Sequence, residues 1–169
     1  KIRLRTYVSS GLTFFEIKNK NNHGRTDKKR IKIALENRNF LQDEETRVFL
    51  KKHAWYTAEA LTPQLENAFH RITLVNRGMT ERLTIDTGLQ FHNLINDAHQ
   101  SLEGIAIIEL KRDGRTPSPM YDQLIKMHIH TSGFSKYCIG YALTDPGLKQ
   151  NLFKERIHHI LKLNSKELS

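Results

Sequence analysis

Side chains at i and i+2 share one face of a β-strand, and on that spacing this chain aligns an unusual number of cations. Arg3 and Arg5 stand together, opposed by Ile2 and Leu4. Glu16, Lys18 and Lys20 share a face, and Lys28, Arg30 and Lys32 align against Ile31 and Ile33. Further on, Arg82, Thr84 and Asp86 oppose Leu83 and Ile85, Glu109 and Lys111 end a face begun by Ile105 and Ile107, and Lys136 follows Ser135. Any one of these strands is explained by an antiparallel sheet with a solvated polar face. The set is not, because ten cations stand against Glu16, Asp86 and Glu109 alone. Like charges facing one another across strands destabilise a sheet, so a face of one sign points to a polyanion seated on it. Phosphate chains suit such a face, with arginine as a bidentate fork and lysine as a mobile point charge. Glu109 has two readings from its spacing. It is either a ligand for Mg²⁺ or Mn²⁺ bridging phosphate oxygens, since hard cations take oxygen donors, or the partner of Lys111 or Arg82 in a salt bridge.

The elements that must position these residues follow from periodicity. Strand patterns cover about 1–8, 13–20, 28–35, 71–76, 81–87, 104–111 and 135–143, with turn chemistry at Ser9-Ser10-Gly11, Asn21-Asn22-His23-Gly24 and Arg77-Gly78. Residues 41–60 read as a helix with acidic residues in its first turn, Trp55 packing within it, and a shorter helix is expected after Thr62-Pro63. Ser118-Pro119 opens another helix, with Met120, Leu124 and Met127 on one stripe, and Asp145-Pro146 opens the last, through about Leu163. Strands in clusters with helices as excursions predict an α+β protein on an antiparallel sheet. If the sheet closes with its basic face inward, the lumen holds water or an anion, because dry unpaired cations are too costly. Seven strands and one more before Lys1 would complete an eight-stranded barrel.

The chain has 169 residues, 27 Lys+Arg against 18 Asp+Glu, and a formal charge of +9. That length predicts one domain spanning 1–169 with one sizeable core. No apolar run is long enough to span a bilayer, and neither GxGxxG nor GxxxxGK[ST] occurs. Cys138 is the single cysteine, which excludes an internal disulfide and fits a reducing, cytoplasmic compartment. The charge alone would suit nucleic acid. However, Tyr7 and Tyr137 stand at odd offsets from the cations rather than interleaved with them, and no finger or RRM signature is present, so nucleic acid is not the expected partner. His128 and His130, and the pair His158 and His159, have no carboxylate or cysteine at ligand spacing and read as surface or structural residues.

Six short segments carry a family resemblance: Arg3-Leu4-Arg5-Thr6-Tyr7, Phe15-Glu16-Ile17-Lys18, Lys28-Lys29-Arg30, Glu81-Arg82-Leu83-Thr84-Ile85-Asp86-Thr87, Ile108-Glu109-Leu110-Lys111 and Gly133-Phe134-Ser135-Lys136-Tyr137. In this order the chain resembles the VTC domain, the polyphosphate polymerase domain of the triphosphate tunnel metalloenzyme (CYTH-like) superfamily, and looks like a bacterial member. The resemblance implies a closed or nearly closed antiparallel β-barrel, a tunnel whose basic lining binds ATP or another nucleoside triphosphate and inorganic polyphosphate. It also implies an upstream strand preceding Lys1. Matched by motif, Arg3, Arg5, Lys18, Lys28, Arg82 and Lys136 would be phosphate ligands and Glu109 the ligand of Mn²⁺ or Mg²⁺. Strand alternation adds Lys111 to the phosphate set. Arg3, Arg5 and Arg82 are expected to hold the reacting phosphates. The reaction implied is transfer of the γ-phosphate of ATP to a polyphosphate chain, with hydrolysis on the same scaffold or binding alone as the alternatives.

Overall fold

Alternation of apolar and charged residues in the first third of the chain produces a sheet with two unlike faces. The computed structural model describes residues 1–20, 26–34, 43–112, 114 and 116–166, and they fall into two compact units, Lys1–Thr62 and Pro63–Ser169. In the first unit, β1 (Ile2–Tyr7), β2 (Leu12–Lys20) and β3 (Thr26–Ile33) pair antiparallel in that order. Their register sets Arg3 and Arg30 on either side of Glu16, and Lys28 opposite Lys18. Phe15, Ile17 and Ile33 project to the other face and are buried with Leu50 and Ala58. Between β1 and β2 the expected turn forms, closed by Gly11 at φ +63°, a left-handed conformation that favours glycine. The expected turn at Asn21-Asn22-His23-Gly24 lies outside the described residues.

The helix expected over 41–60 is shorter. Residues 41 and 42 lie outside the described part, and α1 runs Glu44–His53. Asp43 caps it by accepting a hydrogen bond from the Thr46 N–H at 2.9 Å, and Glu44 and Glu45 face the positive end of the helix dipole. It stops where its apolar stripe leaves the core: Leu50 is buried, whereas Trp55 is 99% exposed and packs in no helix. The Asn19 side-chain amide donates to the His53 carbonyl at 3.0 Å, satisfying one of the open carbonyls at that end.

The second unit is built on one long strand. β4 (Leu65–Val75) pairs with β5 (Glu81–Asn93), whose far edge is shared by β6 (His99–Leu102) along its C-terminal half and β7 (Ile107–Arg112) along its N-terminal half, all antiparallel. The helix expected after Thr62-Pro63 is instead the start of β4: Leu65 and Phe69 alternate onto the core, and cross-strand pairing with β5 overrides the capping signal. Near the middle of β5 the register with β4 shifts, and Gly88 there adopts φ +60°. The irregularity moves the side-chain phase by one. Asp86, before it, therefore meets a residue of the same helix that Leu89 and Phe91, after it, pack against.

That helix is the main departure from the sequence reading. Residues 135–143, expected as a strand, form α3 (Lys136–Thr144). Ser135 caps it by accepting from the Cys138 N–H at 3.3 Å, and Gly140 lies against the Phe91 ring so closely that a Cβ would come within 2.3 Å. The β-branched and aromatic composition of this segment favours a strand locally, but burial of Ile139 and Ala142 at helical spacing in the core with Leu89, Leu102 and Ile105 outweighs it. α2 (Pro119–Lys126) begins as expected, with Ser118 accepting from the Tyr121 N–H at 3.1 Å and Pro119 in the first turn. Asp145-Pro146 does not open the last helix. Asp145 ends α3 and accepts from the Gly147 N–H at 3.1 Å in a turn, and α4 (Lys154–Lys166) begins later, burying Ile157 and Ile160. Among the described residues the strands pair as two antiparallel sheets, and no helix is long and apolar enough to cross a membrane.

Candidate functional site

Each unit carries a buried carboxylate on the basic face of its sheet, held in a ring of cations. In the first unit it is Glu16, 1% exposed. The register brings Arg3 beside it, with Nε 2.7 Å and Nη2 2.6 Å from Oε2. Lys28 reaches from β3 to place Nζ 2.6 Å from Oε1, and Arg5 lies 4.0 Å from Oε2. Burial works against the charged form of Glu16, but the hydrogen bonds from Lys28 and Arg3 and the fields of Arg3 and Arg5 outweigh it, holding the carboxyl below the usual range. Lys18, Arg30 and Lys32 stand on the same face and are exposed. Aromatic rings support two of the arginines: Arg30 lies over Phe14 at 4.7 Å, and Arg5 over Tyr7 at 5.8 Å. The Arg5 hydrogen bond to the Tyr7 hydroxyl lowers the phenol from its ordinary value.

In the second unit the carboxylate is Asp86, also 1% exposed. Arg71, directly opposite on β4, grips it with both prongs, Nε to Oδ1 at 2.5 Å and Nη2 to Oδ2 at 2.7 Å. Lys136, at the first turn of α3, places Nζ 2.5 Å from Oδ2. Both cations also lie over the Phe69 ring, at 5.2 and 4.6 Å. Burial again raises the carboxyl, and Arg71 and Lys136 more than reverse it, so Asp86 too ionises below the usual range. Arg82, Thr84 and Asp86 line one face of β5, as read from the sequence, and cross-strand partners put Lys111 beside Arg82 and Glu109 beside Thr84. Arg82, Glu109 and Lys111 are exposed, and Glu109 pairs with Lys111 at 3.2 Å.

Thus Arg3, Arg5, Lys18 and Lys28 share one face in the first unit, and Arg82, Glu109 and Lys111 share one in the second, which Lys136 joins from a helix rather than from the expected strand. The alignment read from alternation missed three residues. Alternation shows Glu16 and Asp86 only as opposing charges, although each is the hub of its cation array. Arg71 is invisible to alternation because its partner is 15 residues away, and only the β4–β5 register reveals it. A buried carboxylate with two or more fixed cations holds their long side chains in place before any ligand arrives. That arrangement favours binding of a multiply charged anion by lowering the ordering cost.

A family model for the VTC domain matches residues 1–144. The chain belongs to the VTC domain family. None of the curated proteins matches it significantly. The match covers both carboxylate hubs and every residue of the candidate site, and VTC membership points to a polyphosphate-related function.

Proposed function

We propose that this VTC chain is a polyphosphate polymerase-like phosphotransferase that moves the γ-phosphate of ATP onto a polyphosphate chain. The observation carrying this reading is the pair of carboxylate-centred cation arrays, with exposed Lys18, Arg82 and Lys111 beside them. A terminal oxygen of the polyphosphate attacks the γ-phosphorus, the bond to the β–γ bridging oxygen breaks, and ADP leaves carrying that oxygen. Such transfer needs little covalent help from protein, and catalysis rests on holding phosphates in line and stabilising developing charge. In this proposal Arg3, Arg5 and Arg82 hold the reacting phosphates. Lys18, Lys28, Lys111 and Lys136 line the path of the chain, and Arg71 joins them beside Asp86. The closed antiparallel tunnel implied by the family resemblance is part of the same proposal, since a confined basic lining strengthens every charge interaction made by the phosphates.

Glu109 offers one carboxylate, and Lys111 already lies 3.2 Å from it. That donor set fits Mn²⁺ or Mg²⁺ as a single protein ligand, with phosphate and water oxygens supplying the rest, as is usual for magnesium on phosphate substrates. Held there, the ion would neutralise charge on the phosphate oxygens.

Transfer is favoured over hydrolysis because Glu16 and Asp86 are tied to cations and ionise below the usual range, which makes each a poor base for activating water. The test is incubation of the chain with ATP and Mn²⁺, followed by sizing of all phosphate products. Long chains with equivalent ADP support the proposal. Free phosphate alone would make the protein a hydrolase, and tight tripolyphosphate binding without turnover would leave a binding module; either result overturns it.

A further inference from the structure

The β5–β6 hairpin ends in a cluster that the phosphate chemistry does not use. His92 and His99 are direct cross-strand partners, with their rings stacked at 4.0 Å and 12°. Asp97, in the turn between them, aims Oδ1 at both rings, 2.7 Å from His92 Nε2 and 3.7 Å from His99 Nε2. Ligand atoms of the three lie within 4.8 Å of one another. The turn holds this convergence. Asp97 sits at φ +57°, a conformation uncommon outside glycine and asparagine-like residues. The Asn93 side chain accepts from the Ile95 N–H at 3.0 Å, the Asn96 side chain accepts from the Ala98 N–H at 3.1 Å, and the Asn96 amide donates to the Thr144 carbonyl at 2.9 Å. The hairpin tip is thereby tied to the end of α3.

We propose that His92, Asp97 and His99 form a transition-metal site suited to Zn²⁺. Two imidazole nitrogens and one carboxylate oxygen are a donor set that Zn²⁺ takes readily, with remaining positions filled by water. A metal resolves what the trio alone leaves poorly matched. The Asp97 oxygen is within hydrogen-bond reach of His92 but not of His99. With the exposed His99 ring turned out of the stack, so that both ring nitrogens point at one ion, a cation among the three replaces that single hydrogen bond with three coordinate bonds. Asp97 and His99 are largely exposed, which gives the ion a route in and leaves solvent positions open. Sequence spacing does not reveal the pair, because only the hairpin register makes the two histidines neighbours.

The test is titration of the metal-stripped chain, free of any histidine tag, with Zn²⁺ alone against a chromophoric chelator. The same titration is run on His99→Gln and Asp97→Asn, whose exposed side chains can be changed with little risk to folding. Wild type is expected to bind one Zn²⁺ tightly, and each variant to bind at least about tenfold more weakly, the loss that even outer-shell changes commonly cause. Substitution with Co²⁺ should give the visible absorption of a four- or five-coordinate ion in wild type and lose it in both variants. Wild type that fails to compete with the chelator, or variants that bind Zn²⁺ as tightly as wild type, would overturn the proposal.

Discussion

Replacing Glu16 by Gln keeps the shape of the first cation hub and removes its charge. Wild-type Glu16 accepts charge-assisted contacts from Arg3 and Lys28, whose side chains are 33% and 37% exposed. A hydrogen bond to a charged group contributes about 1.5–3 kcal/mol and a neutral one about 0.5–1.5 kcal/mol, so two such downgrades amount to roughly 2–3 kcal/mol. Partial exposure of both cations lets water recover some of this, leaving about 1–2 kcal/mol. For a chain of this size that lowers Tm by roughly 2–8 °C. The sign of the pH dependence is fixed. Glu16 is depressed in the folded state, so its contribution is present above the unfolded carboxylate range, near pH 4.3, and is lost as pH falls through the lower folded value. The gap between wild type and Glu16→Gln should therefore be widest near neutrality and close as pH falls below the unfolded carboxylate range. Far-UV circular dichroism during thermal unfolding is the suitable assay, since the sole tryptophan, Trp55, is almost fully exposed and a poor reporter. Equal stability at pH 7, or a gap that persists or grows in acid, would refute the view that Glu16 is an ionised hub.

Gly140→Ala should destabilise the second unit by about 2–3 kcal/mol through overpacking, because the new methyl group meets the buried Phe91 ring; urea denaturation measures it. Glu109→Gln should abolish Mn²⁺-dependent turnover of ATP while leaving tripolyphosphate binding largely intact and thermal stability unchanged, since among the described residues its carboxylate pairs with the exposed Lys111 alone. Asp86→Asn should loosen Lys136 and Arg71 together, and hydrogen exchange at the start of α3 should rise relative to wild type.

Much of the architecture was legible where local pattern and tertiary packing agree. Ile2, Leu4, Ile31 and Ile33 alternate with cations, so β1 and β3 and their two faces follow directly, and Leu83 and Ile85 do the same for β5. The readings failed where distant contacts decide. The segment from Ser135 to Thr144 has strand-favouring composition, but its partner is Phe91, and only that contact explains Gly140. Pro63 carries a helix-start signal that pairing of Leu65 and Phe69 against β5 overrules. His99–Leu102 is too short and polar to show as a strand, and with it the His92–His99 pairing stayed hidden. For the candidate site, alternation assembled Arg3, Arg5, Lys18, Lys28, Arg82 and Lys111 because spacing of two is a local property. The hub roles of Glu16 and Asp86 depend on register across strands and, for Asp86, on a helix 50 residues away.

The central claim, that these carboxylate-centred basic faces bind a phosphate chain, is tested most directly by equilibrium titration with tripolyphosphate. Wild type should be compared with the Lys18→Ala, Arg82→Ala double variant, both positions being exposed and remote from the core. The account predicts saturable binding to wild type that weakens with salt, a loss of about a hundredfold in the double variant from two charge-assisted contacts, and no displacement by single-stranded RNA at equal phosphate concentration. Unchanged affinity in the variant, or displacement by RNA as effective as by polyphosphate itself, would contradict it.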